Sequence, residues 1–318
     1  MSNRRTNNAE ALMHNTRIGI DLGGTKIEAI AINTTGEIIC RHRTSTPSNS
    51  YQEVVLKLQT VIESIAKQAD LPKSTPVGIG TPGAISLKTG LMKNCNNTCL
   101  NGHDLKSELE VVLKRPVRIA NDADCFTLSE AVDGAGRDAS MVFGIILGTG
   151  VGGGLTVNQQ LLRGINSISG EWGHNALPLN SLAGISTFPF SQKRACYCGK
   201  LNCIETWLSG PALAESYFEL TGLSMTAKQV SARISVDPQA QLAFDWYYNM
   251  AALAISQAIN IVDPHVIVLG GGMSNTQALY AGIRSYWDQY IFSDQVDTHL
   301  EPARHGDSSG VRGAAWLW

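Results

Sequence analysis

The chain has no run of about 18 consecutive apolar residues, no apolar core near its N-terminus, and no G-x-x-x-x-G-K-[ST] segment. The first absence leaves no candidate membrane span, the second no secretory signal, and the third no P-loop. Charge is sparse: 16% of the 318 residues, with a net charge of -2, so no basic surface for nucleic acid or another polyanion is expected. Seven cysteines are an odd number, and three of them cluster. Without a secretion signal this reads as a reduced, cytoplasmic chain with a metal site, not a disulfide framework. The 43% hydrophobic content is ample for a core, and the length suggests two domains. Residues 1–16 are polar and are expected to be a disordered leader, with Met13 an alternative start.

What is present centres on residues 169–205. Glu171-Trp172-Gly173-His174 is followed by Cys196-Tyr197-Cys198-Gly199 and then Cys203-Ile204-Glu205. One histidine and three cysteines, His174, Cys196, Cys198 and Cys203, could hold a tetrahedral zinc. The spacing is not that of a common zinc finger, and three buried thiols without a metal are the alternative. A metal here would pin two acidic side chains, Glu171 and Glu205.

The second pattern is a duplication. Arg17 to Ile32 reads as strand, turn, strand, bent at Leu22-Gly23-Gly24-Thr25-Lys26. Val142 to Val157 repeats it, bent at Leu147-Gly148-Thr149-Gly150. Two such hairpins facing each other would offer backbone N–H groups to a polyphosphate. The plain alternative is that these glycines only make tight turns. A strand, not a helix, follows the second loop, which rejects a dinucleotide-binding reading of Gly148, Gly150 and Gly153. Between and after the hairpins come a helix over Tyr51 to Ala69, a strand over Val117 to Ala120, a helix from Ala123 to about Val132, helices over Pro211 to Thr221 and Ala240 to Asn260, and a buried strand over Val266 to Leu269. Gly270-Gly271-Gly272 after that strand marks either close approach of a ligand or a plain turn. Asp21, at the end of the first strand, could hold Mg²⁺ or cap the turn. Asp122, between a strand and a helix, suits a general base or a helix cap.

The runs E-W-G-H and C-x-C-G-x-x-x-C-I-E resemble the signature of the ROK family of sugar kinases and related repressors, over nearly the whole chain from Arg17 to Trp318. Within it the resemblance is strongest to bacterial fructokinases, also called mannofructokinases. It implies an α/β fold of two actin-like, hexokinase-type (ribonuclease-H-like) domains with a cleft between them. The expected small domain is 17–121 plus 302–318, and the large one, with a structural zinc, 122–301. The resemblance places Gly80, Asn96, Asn121, Asp122, Glu171, His174 and Glu205 on sugar-contacting positions, with Asp122 as base. It places Gly270, Gly271 and Gly272 against the adenosine. The phosphate cradle would be Gly23, Gly24, Thr25, Thr149 and Gly150, with Lys26 following it. His174 would give one ring nitrogen to zinc and the other to a sugar hydroxyl or to another acceptor. Two departures stand out. Cys99 replaces a tryptophan common in ROK glucokinases, and Asp124 replaces an asparagine, bringing a second carboxylate near Asp122 that could raise its pKa.

The expected activity is ATP-dependent phosphorylation of a hexose, with Mg²⁺ and a structural zinc. Fructose comes first as substrate, and an N-acetylglucosamine kinase or broad glucomannokinase is the alternative. A sugar-sensing regulator is the alternative of another class. About sixteen residues before the first strand are too few for a helix-turn-helix reading head. Sugar and ATP are the expected partners, without nucleic acid or membrane, in a homodimer.

Overall fold

The computed structural model describes residues 16–48, 50–182 and 188–318, so the expected leader lies almost wholly outside the described residues. The chain divides into two units, one made of residues up to Gly134 plus Asp307–Trp318, the other Ala135–Gly306.

The first unit is built on a five-stranded sheet. Its strands are β1 (Arg17–Leu22), β2 (Lys26–Ile32), β3 (Ile38–Ser45), β4 (Val77–Thr81) and β7 (Val117–Asn121), in the order β3-β2-β1-β4-β7. β5 (Ala84–Ile85) and β6 (Met92–Lys93) form a separate ribbon. β1, β2 and β3 pair antiparallel, while β4 and β7 run parallel to β1. Helix α1 (Tyr51–Gln68) buries Val54, Val55, Leu58, Val61, Ile62 and Ile65, the stripe its 3.6-residue period marks out. With α2 (Leu105–Leu113) it closes a core around Ile18, Ile20, Ile27 and Ile79.

The sequence placed the boundary at Asn121, but it falls at Gly134. Helix α3 (Asp122–Val132) stays with the first unit because the last helix, α9 (Ser309–Ala315), packs on it and on β1 and β4. Ser309 Oγ donates to Glu130 at 2.8 Å, and Arg312 pairs with Asp133. Gly19 and Gly78 leave no room for a Cβ beneath this helix.

The second unit repeats the plan. β8 (Met141–Leu147), β9 (Val151–Val157), β10 (Gln160–Leu161), β11 (Val266–Gly270) and β12 (His299–Pro302) lie in the order β10-β9-β8-β11-β12. Again an antiparallel hairpin is followed by parallel strands. Its helices are α4 (Glu205–Leu208), α5 (Gly210–Thr221), α6 (Ala227–Ser231), α7 (Pro238–Val262) and α8 (Ala278–Trp287). Ser209 caps α5 and Asp237 caps α7, each just ahead of a proline in the first turn, where no N–H is missed. α7 buries Phe244, Tyr247, Met250 and Ile255 in the core of this unit. Among the described residues, no helix is long and apolar enough to cross a membrane.

Candidate active site

In the first unit two carboxylates stand at strand ends. Asp21 lies one residue before the end of β1, and Asp122 follows β7 directly. Asn121, not Asp122, caps α3: its Oδ1 accepts the N–H of Ala123 at 2.8 Å, and its Nδ2 donates to Gly83 O at 3.1 Å. Asp122 also accepts from Ala123, at 2.9 Å, so its carboxylate is held at the first helical position. Burial raises the Asp122 pKa despite that hydrogen bond. Burial, then the charge of Asp122, pushes Asp21 up to about 6. The rise at Asp122 comes from its burial, and the charge of Asp122 adds in turn to the rise at Asp21.

Lys26 works against the rise at Asp21. Its amine sits 3.9 Å from Glu28, a fully buried carboxylate that also binds Arg43 at 2.9 Å and Arg41 at 3.5 Å. Glu28 pairs directly across the sheet from Asp21. Sequence reasoning missed it, because a charged residue inside a strand reads as solvent-facing.

Asp21 gives a sign that can be tested. Its folded pKa lies above the unfolded value near 4, so its contribution to stability is fully present below about pH 4 and is lost as the pH rises through 6. Asp21→Asn, which never ionises, is therefore expected to melt higher than the native chain at pH 8 and equally at pH 4. Equal melting temperatures at both pH values would show that the buried charge carries no cost.

Gly23, Gly24, Thr25 and Lys26 form the first turn, closed by the Gly23 N–H on Lys26 O at 3.0 Å and tied to Thr46, whose hydroxyl donates to Gly23 O at 2.8 Å. Asn96 is exposed on a neighbouring loop, with its Cβ 3.9 Å from where a Gly24 Cβ would stand. The buried Asn97 fixes that loop on Pro47 O at 2.9 Å, and Cys99 turns inward to Asn97 Oδ1 at 3.1 Å. Gly80 is buried under Cys125, whose sulfur would lie 3.0 Å from a Cβ there.

In the second unit, Gly148, Thr149 and Gly150 turn β8 into β9. Gly148 and Thr149 line a cavity of about 1080 Å³ together with Pro211, Met225, Gly272 and Met273. This is the size of a small-molecule site. Gly270 ends β11, and the two glycines after it divide the work. Gly271 has φ +80° and packs against the backbone of Leu147, so it is a turn glycine, while Gly272 faces open space in the cavity.

His174, Cys196, Cys198 and Cys203 converge, their ligand atoms all within 4.8 Å of one another. Cys198 and Cys203 sulfurs are 3.6 Å apart, and Cys196 Sγ is 3.6 Å from His174 Nδ1. Zinc–sulfur bonds of about 2.3 Å at a tetrahedral angle put two sulfurs roughly 3.8 Å apart, so the set fits zinc. The turn from Cys196 to Cys203 is shaped by Gly199 (φ +87°) and Asn202 (φ +56°) and by the N–H of Cys196 on Lys200 O. Cys198 is exposed, so the cluster is open to solvent on that side. The second His174 nitrogen, Nε2, meets the Tyr197 hydroxyl at 3.0 Å. Tyr197 was not foreseen; its place between two ligands, on the exposed tip of the turn, was the available signal. Glu171, exposed and just ahead of His174 in sequence, is anchored by Trp172, whose Nε1 donates to Gly152 O at 3.0 Å. Glu205 Oε2 accepts the N–H of Val151 at 3.0 Å.

The predicted residues thus fall into two groups. Asp21, Lys26, Gly80, Asn96, Asn121 and Asp122 are carried by the first unit, and Thr149, Gly150, Glu171, His174, Glu205 and Gly272 by the second.

The ROK family profile matches residues 17–318. A protein named N-acetyl-D-glucosamine kinase from Salmonella paratyphi B is 37% identical over 302 residues, spanning 94% of this chain and 98% of its own length. Its Salmonella typhimurium counterpart is 36% identical over 300 residues, with the same shares. Among solved structures, a ROK hexokinase from Thermus thermophilus aligns with a TM-score of 0.81 at 25% identity, covering 94% of this chain and 96% of the other. A ROK family glucokinase from Streptomyces griseus, in complex with glucose and AMPPNP, aligns at 0.74 and 25%, covering 95% and 99%.

Proposed function

The chain belongs to the ROK family, and on that premise we propose that it is an ATP-dependent sugar kinase whose preferred substrate is N-acetylglucosamine. The near full-length match to N-acetyl-D-glucosamine kinases carries this reading. Fructose, first on sequence resemblance, moves to second place for the same reason.

In the proposed reaction Asp122 takes the proton of a sugar hydroxyl as its oxygen attacks the γ-phosphorus, and ADP leaves with the electrons of the broken P–O bond. A buried carboxylate with a raised pKa is suited to that step, since a base works best with its pKa near the working pH. Gly23 shapes the first turn, and N–H groups of Gly24 and Thr25, and of Thr149 and Gly150, serve the phosphates. The cavity beside Thr149 and Gly272 takes the nucleoside. Mg²⁺, when bound, offsets charge on the phosphates, and Asp21 is its candidate ligand. Gly80, Asn96 and Asn121 of the first unit and Glu171 and Glu205 of the second are the candidate sugar contacts, and His174 would join them by exchanging its Tyr197 hydroxyl for a sugar hydroxyl.

An ADP-release assay across N-acetylglucosamine, glucose, mannose and fructose tests the reading. The expected result is the highest kcat/KM on N-acetylglucosamine. A higher value on fructose would restore the earlier preference, and no ADP release with any sugar would leave the sensor reading.

A further inference from the structure

Glu205 joins the metal-ligand turn to the glycine hairpin of the second unit. Its Oε2 accepts the Val151 N–H at 3.0 Å and would lie 2.6 Å from a Cβ on Gly150. The contact therefore runs along the loop backbone and needs glycine at 150. Two residues before Glu205, the buried Cys203 is bridged to Ala176. Five residues after it, the Gly210 N–H donates to Gly148 O at 2.7 Å. Residues 203–210 therefore grip the loop at both ends, by the amide of 151 and the carbonyl of 148.

The grip itself is braced. Arg194 is 4% exposed, and its guanidinium lies 4.0 Å from the Trp207 ring centre. It donates to Thr206 O at 3.1 Å and to Ala212 O at 3.3 Å. Thr206 and Trp207 directly follow Glu205, so this carboxylate has a rigid base.

We infer that Glu205 is a positioning residue for the phosphate loop: it sets the aim of the Thr149 and Gly150 amides before a nucleotide arrives. The inference rests on the kinase reading and adds a task to Glu205 beyond sugar contact. A loop of glycines is conformationally free, and fixing it costs entropy at the moment of binding unless the fold has fixed it already. A side-chain oxygen that accepts the loop's own amide supplies that fixing and leaves neighbouring N–H groups for the anion.

The test uses the full-length chain, titrated with ADP and Mg²⁺ in the absence of sugar, and amide hydrogen exchange over residues 148–153 without nucleotide. Glu205→Ala is expected to weaken ADP binding about tenfold and to speed exchange at Val151. Glu205→Gln keeps an acceptor of the same length and is expected to retain ADP affinity within about twofold, whatever happens to its sugar affinity. An alanine variant with native ADP affinity overturns the inference, as does a glutamine variant that loses as much as alanine. A native chain that binds no ADP sinks the kinase reading instead. In that case unchanged exchange at Val151 in Glu205→Ala still overturns the tether.

Discussion

Asp122→Asn is expected to fold normally, to bind sugar and nucleotide near-normally, and to lose at least about a hundredfold in kcat. The structure removes the main competing explanation for a carboxylate here. Asn121, with β-region φ -64° and ψ 154°, occupies the cap and satisfies Ala123. Capping is worth on the order of 1 kcal/mol, and that contribution stays in place in the variant. Asparagine also keeps the size of Asp122 and an acceptor for the same amide. What it loses is the ability to take a proton, which accounts for roughly 10²–10⁴ in rate when a base is in the transition state. A large kcat effect with an unchanged melting curve is therefore the signature. A variant whose kcat stays within about tenfold of native would move the base elsewhere, with Glu171 and Asp124 the next carboxylates to replace.

Much of this frame is legible in the residues. The two bends at Leu22-Gly23-Gly24-Thr25 and Leu147-Gly148-Thr149-Gly150 announce a duplication, and the two sheets share one strand order. A period-2 pattern interrupted by glycines is a local signal, so it survives without coordinates. The Cys-x-Cys pair, the third cysteine and the upstream histidine also converge as their residue types suggest. What stayed hidden depends on distant partners or on choices between neighbours. Asn121 and Asp122 are both favoured caps, and only backbone angles separate them. α3 joins the first unit through Ser309 and Arg312, 179 residues from the acids they bind. Glu28 is buried because Arg43 and Arg41 reach it from β3, a register that periodicity alone does not fix. Tyr197 meets His174 only once the turn through Gly199 and Asn202 has closed.

Cys198→Ser is expected to drop bound zinc well below one equivalent and to lower the melting temperature of the second unit on the order of 10 °C. The choice of residue makes the result interpretable. Cys196 and Cys203 are buried, so replacing either would disturb packing as well as ligation. Cys198 is exposed, and an exposed cysteine-to-serine change away from a special feature costs at most about 0.5 kcal/mol. Any large loss therefore reports on the metal. Loss of a structural metal belongs to the short list of changes that reach about 4 kcal/mol. For a unit of 150–250 residues each kcal/mol moves the midpoint by about 2–4 °C, which gives the expected shift. The consequence extends beyond the turn itself. His174 follows Trp172, which is bonded to β9, and Cys203 precedes Glu205, which is bonded to Val151. Freeing the ligands loosens two anchors on the same hairpin, so ADP affinity is expected to fall along with stability. Native protein that is dialysed, folded and active with far less than one zinc per chain would show instead that four converging side chains hold this turn without a metal. A Cys198→Ser melting curve that overlays the native one would lead to the same conclusion.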